Sequence, residues 1–242
     1  MFRMRNRVRE QRGAMVAGGL VLAVWAATAW AVQQTAPNPD PARFANEIRT
    51  FETWDTKNSF PADAVLFAGS SSIRMWPTHE SFPQWPVINR GFGGAHISDV
   101  LHYASGVVLP YKAKVIVFYA GDNDIADNKS PAQVLGDFKT FVQLVHEKQP
   151  QTPIIYLSIK ASRSRWKFWP QMKEANGLIR EFCEYGPRLY YVDVATPLLG
   201  PDGEPRADLL LKDGLHLNAD GYAVWTREVA PVIERALKSV AN

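Results

Sequence analysis

From Arg43 onward the chain alternates between two hydrophobic periodicities, and this alternation restricts its fold more than any other feature. Five short apolar runs suit strands: residues 64–68 (AVLFA, ended by Gly69), 87–89, 115–120 (VIVFYA), 154–159 and 189–194. Continuous rather than alternating hydrophobicity over so few residues is what a strand buried on both faces requires. Between them lie helical patterns. Phe44, Ile48 and Phe51 recur at i, i+4 and i+7; a second helix is expected over 98–109; Ser130 and Pro131 open a third that reaches His146. A fourth is expected over 171–184, and Asn218 caps a last one with an apolar stripe of Val224, Val229, Val232, Ile233 and Leu237. Strands regularly separated by helices imply a parallel sheet covered on both faces, an α/β fold. No internal repeat or second linker interrupts the pattern, so residues 43–242 read as one domain.

The formal charge of +3 is unevenly distributed. Arg3, Arg5, Arg7, Arg9 and Arg12 face only Glu10 in the first twelve residues, which leaves 22 basic against 23 acidic residues in the remainder. A body so close to neutrality gives no support for nucleic-acid binding. After the arginines, residues 14–32 are apolar and uncharged, close to the roughly 20 residues that span a bilayer. Arginines before such a run hold the amino end in the cytoplasm and send the rest of the chain across the membrane. Small residues at Ala27, Ala29 and Ala31 offer cleavage sites, so residues 1–32 fit either a signal peptide or an N-terminal membrane anchor. Residues 33–42 (QQTAPNPDPA) read as a Pro-rich linker. The working domain is thus expected in the periplasm or outside the cell, secreted or held to the inner membrane by residues 14–32, its sole membrane contact. One cysteine, Cys183, excludes an internal disulfide and a Cys-based zinc site, and its helical setting suits a buried structural thiol.

In open parallel sheets ligands bind beyond the carboxyl ends of the strands. The five segments found there are Gly69-Ser70-Ser71-Ser72, Arg90-Gly91-Phe92-Gly93-Gly94-Ala95, Gly121-Asp122-Asn123-Asp124, the basic and aromatic 160–169, and Asp213-Gly214-Leu215-His216. The serines alone could simply cap the next helix. Together, however, these segments hold the parts of acyl transfer. A serine hydroxyl needs an adjacent base, and the base needs an acid on its other ring nitrogen. Asp213 and His216 are three residues apart, a spacing one turn folds into contact. The oxyanion of a tetrahedral intermediate needs fixed donors, available from the Asn123 side chain, the Gly94 N–H and the Ser71 N–H.

In these blocks the chain resembles the SGNH (GDSL-type) hydrolase superfamily, whose Ser, Gly, Asn and His occur in this order. Gly69-Ser70-Ser71 matches the first block, which selects Ser71 over its neighbours; Gly94, Asn123 and the Asp213–His216 pair match the other three. The likeness covers about residues 65–222. It departs at Ser70, where the family usually has Asp. It implies a three-layer α/β/α sandwich around a flavodoxin-like five-stranded parallel sheet, and hydrolysis of esters without metal or cofactor. The substrate so implied is a small-molecule or glycan ester, with short-acyl or carbohydrate-linked acetyl esters foremost. Two alternatives stay open: an envelope glycan O-acyltransferase using the same residues, and a non-catalytic glycan-binding domain.

Other motifs are weaker. Asp99 and His102 form a second D-x-x-H, but inside a helix, where such pairs are ordinary surface neighbours. His79 and His146 read as structural, and so does His96, although it is near enough to the glycine loop to line the site. Asp122, Asp124 and Asp127 start like a calcium loop that then fails at Ala126 and Gln133. There is no G-x-S-x-G, H-E-x-x-H or P-loop. In residues 160–173, Arg165 and Trp166 are expected to shape the substrate pocket, against the alternative of a solvated loop with aromatic anchors in the core.

Overall fold

A computed structural model describes residues 35–240. The arginine cluster and the apolar run 14–32 lie outside them; among the described residues no helix is long and apolar enough to cross a membrane. Of the expected linker, residues 35–40 carry no regular element, and the Gln133 side-chain amide exchanges two hydrogen bonds with the Ala36 backbone.

The elements follow in the order α1 (Ala45–Asp55), β1 (Val65–Gly69), α2 (Ser71–Arg74), α3 (Thr78–Ser81), β2 (Val87–Gly91), α4 (Ile97–His102), α5 (Ala104–Val107), β3 (Val115–Tyr119), α6 (Asp122–Ala126), α7 (Pro131–Lys148), β4 (Ile154–Leu157), α8 (Trp169–Tyr185), β5 (Leu189–Val192) and α9 (Ala219–Ser239). All five strands are parallel, in the order β2-β1-β3-β4-β5. The expected α/β sandwich is thus observed, with the flavodoxin-like strand order. Side chains on a strand alternate between faces, so each apolar run divides between two cores. Leu66, Ala68, Ile116, Phe118, Ile154 and Tyr156 meet α1, α4, α5, α7 and α8. Val65, Phe67, Val117, Tyr119, Ile155 and Leu157 meet α2 and α9.

The helix ends carry the caps expected from the sequence. Ser130 and Gln133 bond reciprocally as a capping box before α7, and the Asn218 side chain accepts the Gly221 N–H before α9. One expected helix differs: 98–109 is broken at Tyr103 into α4 and α5 and then a short 3-10 turn, Leu109–Tyr111. Gly106 is a poor helix former, and Pro110 cannot lie in a helix interior. After β3 the chain forms the short helix α6, whose first-turn Asp122 and Asp124 suit the positive end of its dipole.

Two features aim this scaffold at a single rim. The chain leaves β1 outward to β2 and then returns to β3 on the other side, so the strand order reverses between β1 and β3 and opens a crevice at their carboxyl ends. On the α9 side, Trp76 packs at 5.4 Å from Trp225 and 5.7 Å from Tyr222, whose hydroxyl donates to the Ser72 carbonyl at 2.9 Å. Burial of rings this large fixes α2, and with it the serine turn, against the last helix.

Candidate active site

Of the three consecutive serines, Ser70 and Ser72 are buried and only Ser71 is partly exposed. The cause is local. β1 ends at Gly69 with φ +139°, Ser70 donates its N–H to the Tyr119 carbonyl at 2.9 Å, and α2 starts at Ser71, turning that side chain out of the core. From the other end of the chain, a loop brings His216 to it. Leu210 and Leu217 pair across the loop base, Leu211 donates to the His216 carbonyl at 2.8 Å, and Gly214 turns the chain at φ +64°. The result is a three-member relay: Ser71 Oγ lies 2.9 Å from His216 Nε2, and His216 Nδ1 lies 2.6 Å from Asp213 Oδ2. With a neutral imidazole, Nδ1–H donates to the carboxylate and Nε2 is left to accept the serine proton.

Asp213 Oδ1 also accepts the Leu215 and His216 N–H groups at 2.9 and 3.0 Å. The hydrogen bond from His216, and then that from the Leu215 N–H, holds the Asp213 carboxyl down at about 2. The three-residue spacing thus performs two tasks: it folds the side chains into contact, and it holds the acid's pKa below that of a free carboxylate.

Gly94 and Asn123 converge on the same rim. Gly94 is exposed with φ +76°, and a Cβ there would meet nothing within 4 Å, so its backbone faces open space. Asn123 Nδ2 donates to the Ala95 carbonyl at 3.0 Å, which joins the amide side chain to the glycine loop. Among the described residues, the Ser71 and Gly94 N–H groups donate to no other protein atom. Together with the second Nδ2 hydrogen, they are donors available to an incoming oxygen.

Arg165 turns inward. Its Nη2 donates to Asn123 Oδ1 at 2.8 Å, and its Nη1 is 3.0 Å from Asp122 Oδ2. Asp122 is in turn 3.1 Å from Lys160 Nζ, and both are buried. Burial favours a protonated Asp122, but the charges of Lys160 and Arg165 outweigh it and hold the carboxyl below the usual carboxylate range. Burial also brings the Lys160 ammonium down, against the pull of Asp122. Trp166 stacks on Trp169 at 5.9 Å, while Phe168 and Trp169 pack against the α7–α8 core. The segment is therefore divided: its basic start reaches the site and its aromatic end anchors it. Ser164 N–H to the Gly214 carbonyl, 3.1 Å, ties it to the Asp213 loop. Sequence reasoning missed the roles of Asp122 and Lys160. The sequence held no signal for them, because the burial that makes Asp122 need a cation follows only from the tertiary structure.

The remaining motif residues serve the scaffold. Asp99 accepts the His96 N–H at 2.8 Å and pairs with Arg43, whereas His102 sits edge-on to Tyr103, so the second D-x-x-H makes no couple. The three aspartates near Asn123 are engaged by side chains instead: Asp122 by Lys160 and Arg165, Asp124 by Lys129 at 3.0 Å and His96 at 3.7 Å, Asp127 by His96 at 2.8 Å. His96 is buried, and its neighbour Ala95 carries the Asn123 contact. His146 meets the Thr152 carbonyl. His79 borders a cavity of about 550 Å³ beside β2. Cys183 is buried, and desolvation pushes its thiol up to about 12.

Comparison with known proteins places the chain in a family. Residues 68–224 match the model of the GDSL-like lipase/acylhydrolase family. The platelet-activating factor acetylhydrolase IB subunit alpha1 of Homo sapiens is 27% identical over 192 residues, covering 76% of this chain and 80% of its own. Among solved structures, a GDSL-like lipase from Bacteroides thetaiotaomicron superposes with a TM-score of 0.65 at 19% identity, over 81% of this chain and 98% of its own. A carbohydrate esterase family 3 protein from Talaromyces cellulolyticus gives 0.60 at 16% identity, over 72% and 98%. Both structural likenesses concern the fold.

Proposed function

Because the chain belongs to the GDSL-like lipase/acylhydrolase family, we propose that it is a serine ester hydrolase with Ser71 as nucleophile, His216 as general base and Asp213 as the acid that orients it. The observation that carries this reading is the unbroken relay from Ser71 Oγ through His216 to Asp213, at 2.9 and 2.6 Å. A hydroxyl, an imidazole and an ionised carboxylate in line are the requirements of nucleophilic acyl transfer.

In this mechanism His216 Nε2 takes the Ser71 proton as Oγ attacks the ester carbonyl carbon. The tetrahedral oxyanion is met by the N–H groups of Ser71 and Gly94 and by Asn123 Nδ2, while Asp213 stabilises the imidazolium. Collapse breaks the bond to the alcohol oxygen, which receives the proton from His216. Water then attacks acyl-Ser71, giving its proton to His216; collapse breaks the bond to Ser71 Oγ, which takes that proton back, and releases the carboxylic acid.

The reading extends to short acyl groups, acetyl above all, on a larger polar alcohol such as a sugar. Two of the proteins similar to this chain are, by name, an acetylhydrolase and a carbohydrate esterase. The exposure of Asp213, about half of its side chain, supports it as well, since it leaves the acid end of the triad open to water. The arginines and apolar run ahead of the domain support action outside the cytoplasm.

A panel of nitrophenyl esters of rising chain length and acetylated sugars, assayed on the purified domain, tests the proposal. Turnover is expected to be greatest for acetyl, and Ser71→Ala is expected to remove nearly all of it, by up to about 10⁶-fold. Activity retained in purified Ser71→Ala would overturn the assignment.

A further inference from the structure

An oxyanion-hole asparagine has a problem that backbone donors do not. Its side chain can rotate by half a turn and present its oxygen, instead of its NH₂, to the developing negative charge. We propose that Arg165 is the positioning residue that prevents this, and that Asp122 and Lys160 hold Arg165 in place. The inference rests on the reading of Asn123 as an oxyanion donor.

The geometry is specific about orientation. A guanidinium has donors only, so the Asn123 atom that meets Arg165 Nη2 at 2.8 Å must be the carbonyl oxygen. The Ala95 carbonyl has acceptors only, so the atom 3.0 Å from it must be nitrogen. Both contacts select the same rotamer, and the flipped amide would lose both while facing a cation with its NH₂. In the selected rotamer the second Nδ2 hydrogen is left for substrate. A cation on the amide oxygen also draws electron density through the conjugated amide from nitrogen to oxygen. It thereby makes the remaining N–H a stronger donor to an oxyanion.

Arg165 lies on a loop and needs holding. Asp122, the residue before Asn123 in the chain, forms an ion pair with its other terminal nitrogen at 3.0 Å. One carboxylate facing two cations stays ionised, and the second cation, Lys160, is itself buried against Tyr119, with Nζ 3.3 Å from the phenol oxygen. The chain Lys160–Asp122–Arg165–Asn123 thus runs from the end of β4 to the candidate oxyanion site. A loop arginine kept for solvent-side contact with substrate would not need a buried lysine and a buried aspartate to brace it.

A double-mutant cycle of Arg165→Met and Asn123→Ala on a neutral acetyl ester tests this. Arg165→Met is expected to lower kcat by roughly 10- to 100-fold with KM nearly unchanged, and to have almost no further effect once Asn123 is alanine, whose own loss is about 10²- to 10³-fold. Arg165→Lys, which keeps a donor for the amide oxygen, is expected to recover part of the loss. Thermal melting checks that the variants fold; if Arg165→Met does not, the cycle is run with Arg165→Ala, which also removes every donor and is expected to show the same coupling. A raised KM with normal kcat, or a loss that persists undiminished beside Asn123→Ala, would overturn the proposal while leaving the esterase reading intact. A wild-type protein inert on every ester tested would overturn both.

Discussion

At the scale of single residues, Asp213 sets a testable pH dependence. Its carboxyl is held at about 2 against an ordinary value of 3.8, first by the hydrogen bond with His216. A depressed folded-state value means that the unfolded chain takes up the proton first as pH falls. The stabilisation from the charged Asp213 is therefore complete above about pH 4 and is lost as pH falls towards 2. Asp213→Asn is expected to be less stable than wild type at neutral pH, with a deficit that shrinks between pH 4 and pH 2. Urea titrations of both proteins across that window check it, and a deficit that grows on acidification would contradict it. The group is half exposed, so water screens much of the effect. Asp213 and His216 were legible in the sequence because their contact is local, three residues within one turn. Arg165 was legible as a residue of the site region but not in its direction, because a guanidinium on a loop can face solvent or neighbour equally well until Asp122 and Asn123 are placed beside it.

At the scale of elements, the junction of β1 with α2 carries the heaviest constraint. Gly69 has φ +139°, and a Cβ added there would lie 1.9 Å from the Tyr119 carbonyl oxygen of the adjacent strand. Neither backbone can yield without parting β1 from β3. Gly69→Ala is expected to destabilise the domain by about 3 kcal/mol or more, through overpacking and strained backbone together, and to lower esterase activity by shifting Ser71. Denaturant midpoints and kcat/KM, measured on the same preparation, would show both. Between β3 and β4 the constraint is electrostatic. Lys160→Met would strip the buried Asp122 of one of its two cations, and removing one partner of a buried pair costs about 3–5 kcal/mol. The lower end is expected here because Arg165 remains. A midpoint unchanged from wild type would show that the pair is dispensable. Strand positions were readable to within two residues, since a buried run has few ways to lie. The break of the expected 98–109 helix at Tyr103 was not, because the apolar periodicity itself does not mark where a helix breaks.

At the scale of the whole molecule, residues 35–240 contain both cores and every side chain assigned to the site. A chain beginning at Thr35 is therefore expected to fold and to keep its kcat/KM on soluble esters within about twofold of the full-length protein. A large loss of turnover on truncation would assign the amino-terminal segment a part in catalysis. The amino-acid order by itself determined the α/β alternation, the capped helices, the local Asp–His couple and the four blocks, because each is a pattern within a few residues or a fixed order of short motifs. Only the tertiary structure decided that the calcium-like aspartates form no metal-holding group among the described residues, and that an arginine from the loop after β4, paired with a buried aspartate, meets the asparagine beyond β3. Those outcomes depend on residues tens of positions apart meeting where parallel strands end side by side. Which side chains then touch is settled by strand order and burial, and neither is written in any local stretch of the chain.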